Sequence, residues 1–156
     1  MVDVAVIGGG PAGLSAGLFC AKNDLDTVVF DTDDTWLHHA HLFNYLGIRS
    51  IDGTVFLQRA REHASADHGA DIQEEVEVTG VEATGDGFVV TTDGGEHDAD
   101  YLVLATGSNR DLAEDLGCAL TDEGIVEVDV TMETSVEDAY ATGAMVRAEE
   151  WQAIIS

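Results

Sequence analysis

Short apolar runs broken by glycine and aspartate alternate with longer segments in which apolar residues recur every three or four positions. That pattern predicts strands and helices in turn. Asp3 to Ile7 is apolar and partly β-branched and runs straight into glycines, as does a strand buried on both faces of a parallel sheet. Beyond Gly8-Gly9-Gly10-Pro11-Ala12-Gly13, the residues Leu14, Leu18 and Ala21 fall on one helical face, and Asn23-Asp24 closes that helix. Thr27 to Asp31 is then a second strand. From Thr32 to Gly47 neither period is sustained, so the stretch reads as a loop beside a ligand.

The second half is richer in strands. Thr54 to His68 predicts a helix stopped by Gly69, with Val55, Leu57, Ala60 and Ala64 as its apolar stripe. Ile72 to Ala83, Gly87 to Thr92 and Asp98 to Thr106 follow as β runs, and the turns Gly85-Asp86-Gly87 and Asp93-Gly94-Gly95 make them antiparallel neighbours. The last run ends in Ala105-Thr106-Gly107. Glu123 to Asp129 reads as a further strand and Ala139 to Thr142 as a short final one, after which Gly143-Ala144-Met145 leads into a closing helix through Trp151. Repeats and linkers are absent from the pattern, so a single domain spanning residues 1–156 is expected.

Charge changes the picture more than length does. The chain carries 31 acidic residues against six basic ones, a formal net charge of -25, and Lys22 is the one lysine. Such a surface repels nucleic acid and anionic membranes, and no apolar run approaches the roughly 20 residues that cross a bilayer. The acids are scattered through the sequence instead of gathered in a tail. At molar salt the Debye length shrinks to about 3 Å and mutual repulsion fades, so a halophilic, cytoplasmic setting is expected.

The first thirty residues carry the chemistry. Gly8 permits a tight turn out of the strand, Gly10 allows backbone amides to approach a pyrophosphate, and Gly13 allows close packing of helix on strand. Pro11 and Ala12 open the helix, whose amides and dipole favour an anion. Asp31 ends the next strand, where an acid accepts hydrogen bonds from adenosine ribose hydroxyls. On residue chemistry alone this is a dinucleotide site that suits FAD or NAD equally.

Other candidates are weaker. His38, His39 and His41 fall together in the loop, but adjacent histidines seldom face one ion, and no metal site is expected. Trp36 and Tyr45 either stack on a ligand or pack the core. Cys20 and Cys118 lack Cys-x-x-Cys spacing, which leaves no local dithiol centre. No catalytic acid or base is legible.

The order of these features, a glycine-rich βαβ unit, an acid at the second strand end, a meander into Ala-Thr-Gly and then Thr134 to Gly143, resembles the FAD domain of thioredoxin-reductase-like pyridine nucleotide-disulfide oxidoreductases. The resemblance implies an α/β fold, a three-layer Rossmann-like FAD/NAD(P)-binding domain with a parallel sheet and a β-meander. It implies FAD as cofactor, with Thr106, Gly107, Gly143 and Ala144 along the pyrophosphate and ribityl chain. Asn44-Tyr45-Leu46-Gly47 is similar to the family's Asn-aromatic-Pro-Gly turn beside the flavin, with Leu46 replacing proline. Relatives insert an NAD(P)H domain, which bears the redox Cys-x-x-Cys, after the Ala-Thr-Gly strand; no room for it exists here. Ala144 stands where relatives have an aspartate. The expected function is electron or hydride transfer through a bound flavin, fed by NAD(P)H or a separate redox protein, in a chain that pairs as a homodimer. A non-catalytic dinucleotide-binding module is the alternative.

Overall fold

The computed structural model describes residues 1–148. In chain order the elements are β1 (Val2–Ile7), α1 (Pro11–Lys22), β2 (Thr27–Asp31), a 3-10 turn (Trp36–His39), β3 (His41–Leu42), β4 (Ile51–Asp52), α2 (Gly53–Glu62) prolonged by a π-helical turn (His63–Asp67), β5 (Asp71–Glu74), β6 (Val78–Thr84), β7 (Gly87–Thr92), β8 (Gly95–Leu104), α3 (Asp111–Leu116), β9 (Ala139–Ala141) and a last 3-10 turn (Gly143–Val146).

Five strands form a parallel sheet in the order β5-β2-β1-β8-β9. β8 belongs to two assemblies at once. Residues Ala99 to Leu104 pair with β1 along one edge, while the other edge is shared by β7 at Gly95 to Ala99 and β9 at Leu102 to Leu104. β6, β7 and the first half of β8 therefore make an antiparallel meander that leaves the parallel sheet where β8 passes from one to the other.

Alternation along the strands builds three layers. Val4, Val6 and Val29 point to one face and pack with Ala16 and Cys20 of α1. Ala5, Ile7, Val28 and Phe30 point to the other and pack with Val81, Phe88 and Val90 of the meander and Ala113 of α3. Helix α1 is buried on a second side as well, where Leu14 joins Leu37 and Leu57, and Ala21 joins Ala64 and Ala70. This is the Rossmann-like three-layer fold that the sequence implies.

Several segments differ from the sequence reading. The run Ile72 to Ala83 is two strands: β5 pairs parallel with β2 and β6 antiparallel with β7. Between them Glu75 adopts φ 60, a left-handed turn that lets the chain change layers. Glu123 to Asp129 is not a strand and contributes only the single bridge Leu120 to Val126. A tight turn closed by Gly124 N–H on Thr121 O enters it, and the Asp129 carboxylate takes the Thr131 N–H at 2.7 Å and the Glu133 N–H at 3.1 Å as it leaves. Those local bonds use the groups a ladder needs. Helix α3 went unforeseen because six residues show less than two turns of periodicity. Where a closing helix was expected, Gly143–Val146 is a single 3-10 turn that ends at Arg147 in extended conformation, and residues 149–151 lie outside the described residues.

Leu102 is fully buried near the C-terminal end of β8, between β1 and β9. Leu102→Ala is expected to cost about 2–5 kcal/mol, read as a lower urea midpoint with an unchanged slope.

Candidate functional site

The parallel strands end together, and backbone bonds knit their ends. Gly8 N–H donates to Phe30 O at 2.9 Å, Ala105 N–H to Ile7 O at 2.8 Å, and Thr142 N–H to Leu104 O at 3.0 Å. A cleft of about 1110 Å³ opens at this edge. In open α/β sheets this is where ligands bind, beyond the carboxyl ends of the strands.

The glycines of the first turn have different reasons to lack a side chain. Gly8 has φ 112, and a Cβ there would run into Ala105 O. Gly13 lies against the Gly8 carbonyl and carries the close helix-to-strand packing without itself reaching the cleft. Gly9, which the spacing argument passed over, is closed off by the carboxyl group of Asp31. At Gly10 the protein imposes almost nothing: its φ is -75 and a Cβ would meet only Thr35 Oγ1, at 3.7 Å. That hydrogen faces a cradle which a methyl would fill. Gly10 also caps the 12-residue helix α1 without a side-chain bond and with no acid in the first turn, so the amides of the helix start face an uncompensated anion site.

Asp31 is the only buried carboxylate among the described residues, 3% exposed. Its Oδ1 accepts the Asp33 N–H at 2.9 Å and its Oδ2 accepts Arg61 Nη2 at 2.6 Å. Arg61 also bonds Asp33 Oδ1 through Nη2 and approaches Glu74 at 3.4 Å through Nη1. The hydrogen bond from Arg61 holds the Asp33 carboxyl below its usual range against a small opposing effect of burial, and His38 assists. Desolvation works against the Arg61 charge, but its bonds to Asp33 and Asp31 more than offset this, so the guanidinium stays ionised.

The opposite wall comes from the later turns. Thr106 and Gly107 follow β8, and Gly143 and Ala144 follow β9, and all four line the cleft with Gly8, Gly10, Pro11, Ala12 and Asp31. Gly143 has φ 79, and a Cβ on it would lie 2.9 Å from that of Ala12, so the second glycine turn closes directly on the start of α1. Arg110 holds that wall together by donating to backbone carbonyls on both segments, Ser108 O and Met145 O at 3.1 Å and Ala144 O at 3.4 Å.

Asn44 is not brought to this cleft. It sits on an exposed turn that Tyr45 pins to α2 through a tilted ring contact with Phe56 at 5.0 Å between centroids. Trp36 is 85% exposed on the cleft rim, edge-on to His39, and so does not pack the core. The three neighbouring histidines go separate ways: His38 bonds Asp33 and Thr54, His41 bonds Ser50, and His39 meets Trp36. Among the described residues no group of three or more metal-ligating side chains converges. Cys20, on α1, packs against the sheet, where burial raises its thiol pKa, and Cys118 lies on the other side of the sheet, donating to Thr134 Oγ1. The two are not a pair. No helix among the described residues is long and apolar enough to cross a membrane.

Sequence reasoning missed Gly9, Arg61 and the Arg110 brace. Gly9 was readable only with Asp31 already placed, and the arginines bond partners about 30 residues away, which no local period reports.

A glycine-rich βαβ turn, a buried acid at the next strand end and a cleft over the strand termini define a dinucleotide-binding redox fold. Residues 55–155 match the family described as pyridine nucleotide-disulphide oxidoreductase, and residues 3–42 match the FAD binding domain. The chain belongs to the pyridine nucleotide-disulphide oxidoreductase family, and the match over the glycine turn and Asp31 supports FAD as its dinucleotide.

Among similar curated proteins, a thioredoxin reductase of Spironucleus barkhanus is 31% identical over 121 residues, 73% of this chain and 38% of that protein. An NAD(P)H sulfur oxidoreductase (CoA-dependent) of Pyrococcus furiosus is 45% identical over 56 residues, 35% of this chain and 13% of that protein. The chain thus spans well under half the length of these relatives. Among solved structures, the atypical thioredoxin reductase TRi of Desulfovibrio vulgaris Hildenborough superposes with a TM-score of 0.89 at 16% identity, over 99% of this chain and 93% of that one. The thioredoxin reductase of Lactococcus lactis in its FR conformation gives 0.64 at 28% identity, over 70% and 36%. The fold is that of thioredoxin reductases.

The depressed Asp33 carboxyl fixes the sign of one pH effect. Its stabilising contribution is complete above the ordinary value of 3.8 and is lost as pH falls through the lower folded value. The stability difference between the wild type and Asp33→Asn should therefore hold from neutral pH to about 4 and shrink below it, measured by urea unfolding. A difference independent of pH would contradict the Arg61 bond.

Proposed function

We propose that the chain is a minimal flavoprotein, an FAD-dependent oxidoreductase domain that takes electrons from an external donor. The observation that carries this is the buried Asp31 beside the Gly10 cradle, an acceptor for ribose next to a niche for pyrophosphate. Burying an ionised carboxylate is costly, and a protein keeps one only where its charge has a task or ample partners.

In this reading Asp31 accepts hydrogen bonds from the adenosine ribose, while the Gly10 and Ala12 amides and the α1 dipole hold the pyrophosphate. Gly8, Pro11 and Gly13 shape that turn. Thr106, Gly107, Gly143 and Ala144 wall the ribityl half, with Arg110 keeping the two wall segments together. Bound FAD supplies the electron and hydride chemistry, and the protein contributes orientation and electrostatics.

Family membership supports NAD(P)H as donor, with a separate redox protein as the other source. Residues 105–138, which connect β8 to β9, are taken up by α3 and irregular backbone, which supports a single domain over 1–156 with no NAD(P)H domain inserted there. The dispersed acidic surface supports a salt-rich cytoplasm, and the family likeness supports a homodimer.

A non-catalytic FAD-binding module is favoured by one specific observation, that Cys20 and Cys118 lie on opposite faces of the sheet and provide no dithiol. Protein prepared in high salt should carry or take up FAD, identified by absorbance and by mass of the extracted ligand. Reduction of that flavin by NADH or NADPH in a stopped-flow mixer supports the oxidoreductase. Flavin that binds but resists every nicotinamide donor and photoreduction favours the module, and absence of FAD uptake overturns both.

Gly10→Ala separates folding from binding. Its unfolding free energy should stay within about 1 kcal/mol of wild type, because the methyl meets no protein atom closely. FAD affinity should fall by roughly tenfold or more, measured by fluorescence titration.

A further inference from the structure

We infer that Arg61 is a positioning residue that sets the site's preference for a ribose over a 2′-deoxyribose by holding Asp31 in place. This rests on the reading of the cleft as an FAD site. The cleft is lined by Asp31 but not by Arg61, so the guanidinium stands behind the acid and not beside the ligand. Arg61 is rooted on α2, its side chain 11% exposed, and the carboxylate it grips is 4% exposed.

The geometry of the grip is what makes it directional. Arg61 Nη2 reaches Asp31 Oδ2 at 2.6 Å, and the Asp33 N–H reaches Oδ1 at 2.9 Å, so each oxygen is tied from the protein side. A carboxylate with one donor on each oxygen keeps its remaining lone pairs for a third party. The χ rotation that would exchange its oxygens breaks both bonds at once. Asp33 fastens Arg61 in turn, and His38 fastens Asp33 at 2.9 Å while its other ring nitrogen lies 3.0 Å from Thr54 Oγ1. Glu74 adds a further contact at 3.4 Å. With three acids around it, Arg61 is not available to a phosphate on the ligand.

The acid then offers acceptors, not donors, at a fixed place, which is what a pair of ribose hydroxyls requires. Without Arg61 the carboxylate is free to rotate, and the advantage of the 2′-hydroxyl disappears. A residue that only stabilised the fold would weaken all ligands alike.

The test compares ADP with 2′-deoxy-ADP, and riboflavin 5′-phosphate with both, by calorimetric titration of the whole chain at fixed high salt. Wild type is expected to prefer ADP by about tenfold. Arg61→Gln should reduce that ratio to about twofold, as should Asp31→Asn, while affinity for riboflavin 5′-phosphate, which lacks the adenosine half, stays unchanged. Arg61→Lys keeps the charge but not the planar fork and should give an intermediate ratio; it also serves if the glutamine variant does not fold. Equal losses for ADP and 2′-deoxy-ADP, in either variant, overturn the inference and leave the FAD site standing. A wild-type chain that binds neither FAD nor ADP overturns the site reading itself, and the inference with it.

Discussion

A single buried carboxylate organises the cofactor end of this protein. An ionised group away from water needs partners on every oxygen, and the partners of Asp31 come from separate parts of the chain: the loop after β2 through the Asp33 amide, and α2 through Arg61. Meeting that need fixes other elements. The position of Gly9 has no space for a side chain because the Asp31 carboxyl occupies it, so the glycine-rich turn and the acid at the next strand end are sterically complementary as well as jointly suited to a dinucleotide. Arg61 in turn gathers Asp33 and Glu74, which brings α2 and β5 to the same corner.

The rest of the cleft depends on the parallel sheet. Because β1, β2, β8 and β9 run in one direction, their carboxyl ends deliver four turns to a single edge, and cross-strand amide bonds hold those turns in register. The long strand β8 carries the greatest load. Its first half is the last strand of the meander that covers Phe30 and Val28, and its second half runs between β1 and β9 in the parallel sheet and leads into Thr106. Damage to its packing reaches both layers.

Much of this was legible in the sequence, for definite reasons. The βαβ unit was readable because each part obeys a local rule: a two-sided apolar strand, glycines in order, Pro11 in the first turn, an acid at a strand end. The meander was readable from its paired glycine turns. What escaped depended on distant partners or on breaks in a run. Ile72 to Ala83 is uniformly strand-like in composition, and only the left-handed Glu75 divides it between two layers. Glu123 to Asp129 has the apolar alternation of a strand, yet its backbone amides donate to scattered carbonyls, Glu127 to Ala119, Val126 to Met145 and Asp129 to Glu133. Asn44 fits a family turn by residue type, but Tyr45 carries that turn onto Phe56 and away from the cleft. The Arg61 clamp could not be read at all, since an arginine among so many acids gives no hint of which it chooses.

The burial of Asp31 alone has a consequence for how this protein can change. Every other carboxylate among the described residues lies at or near the surface, where substitutions usually alter stability by less than about 0.5 kcal/mol. Apart from Asp33 and Glu74, which grip Arg61, solubility and colloidal behaviour are thus written on one set of residues and nucleotide recognition on another. Away from the Arg61 clamp and the acids that line the cleft, lineages of this chain can drift from a strongly acidic exterior toward a neutral one, residue by residue, without renegotiating the pocket, and an engineer can recolour the exterior on the same terms.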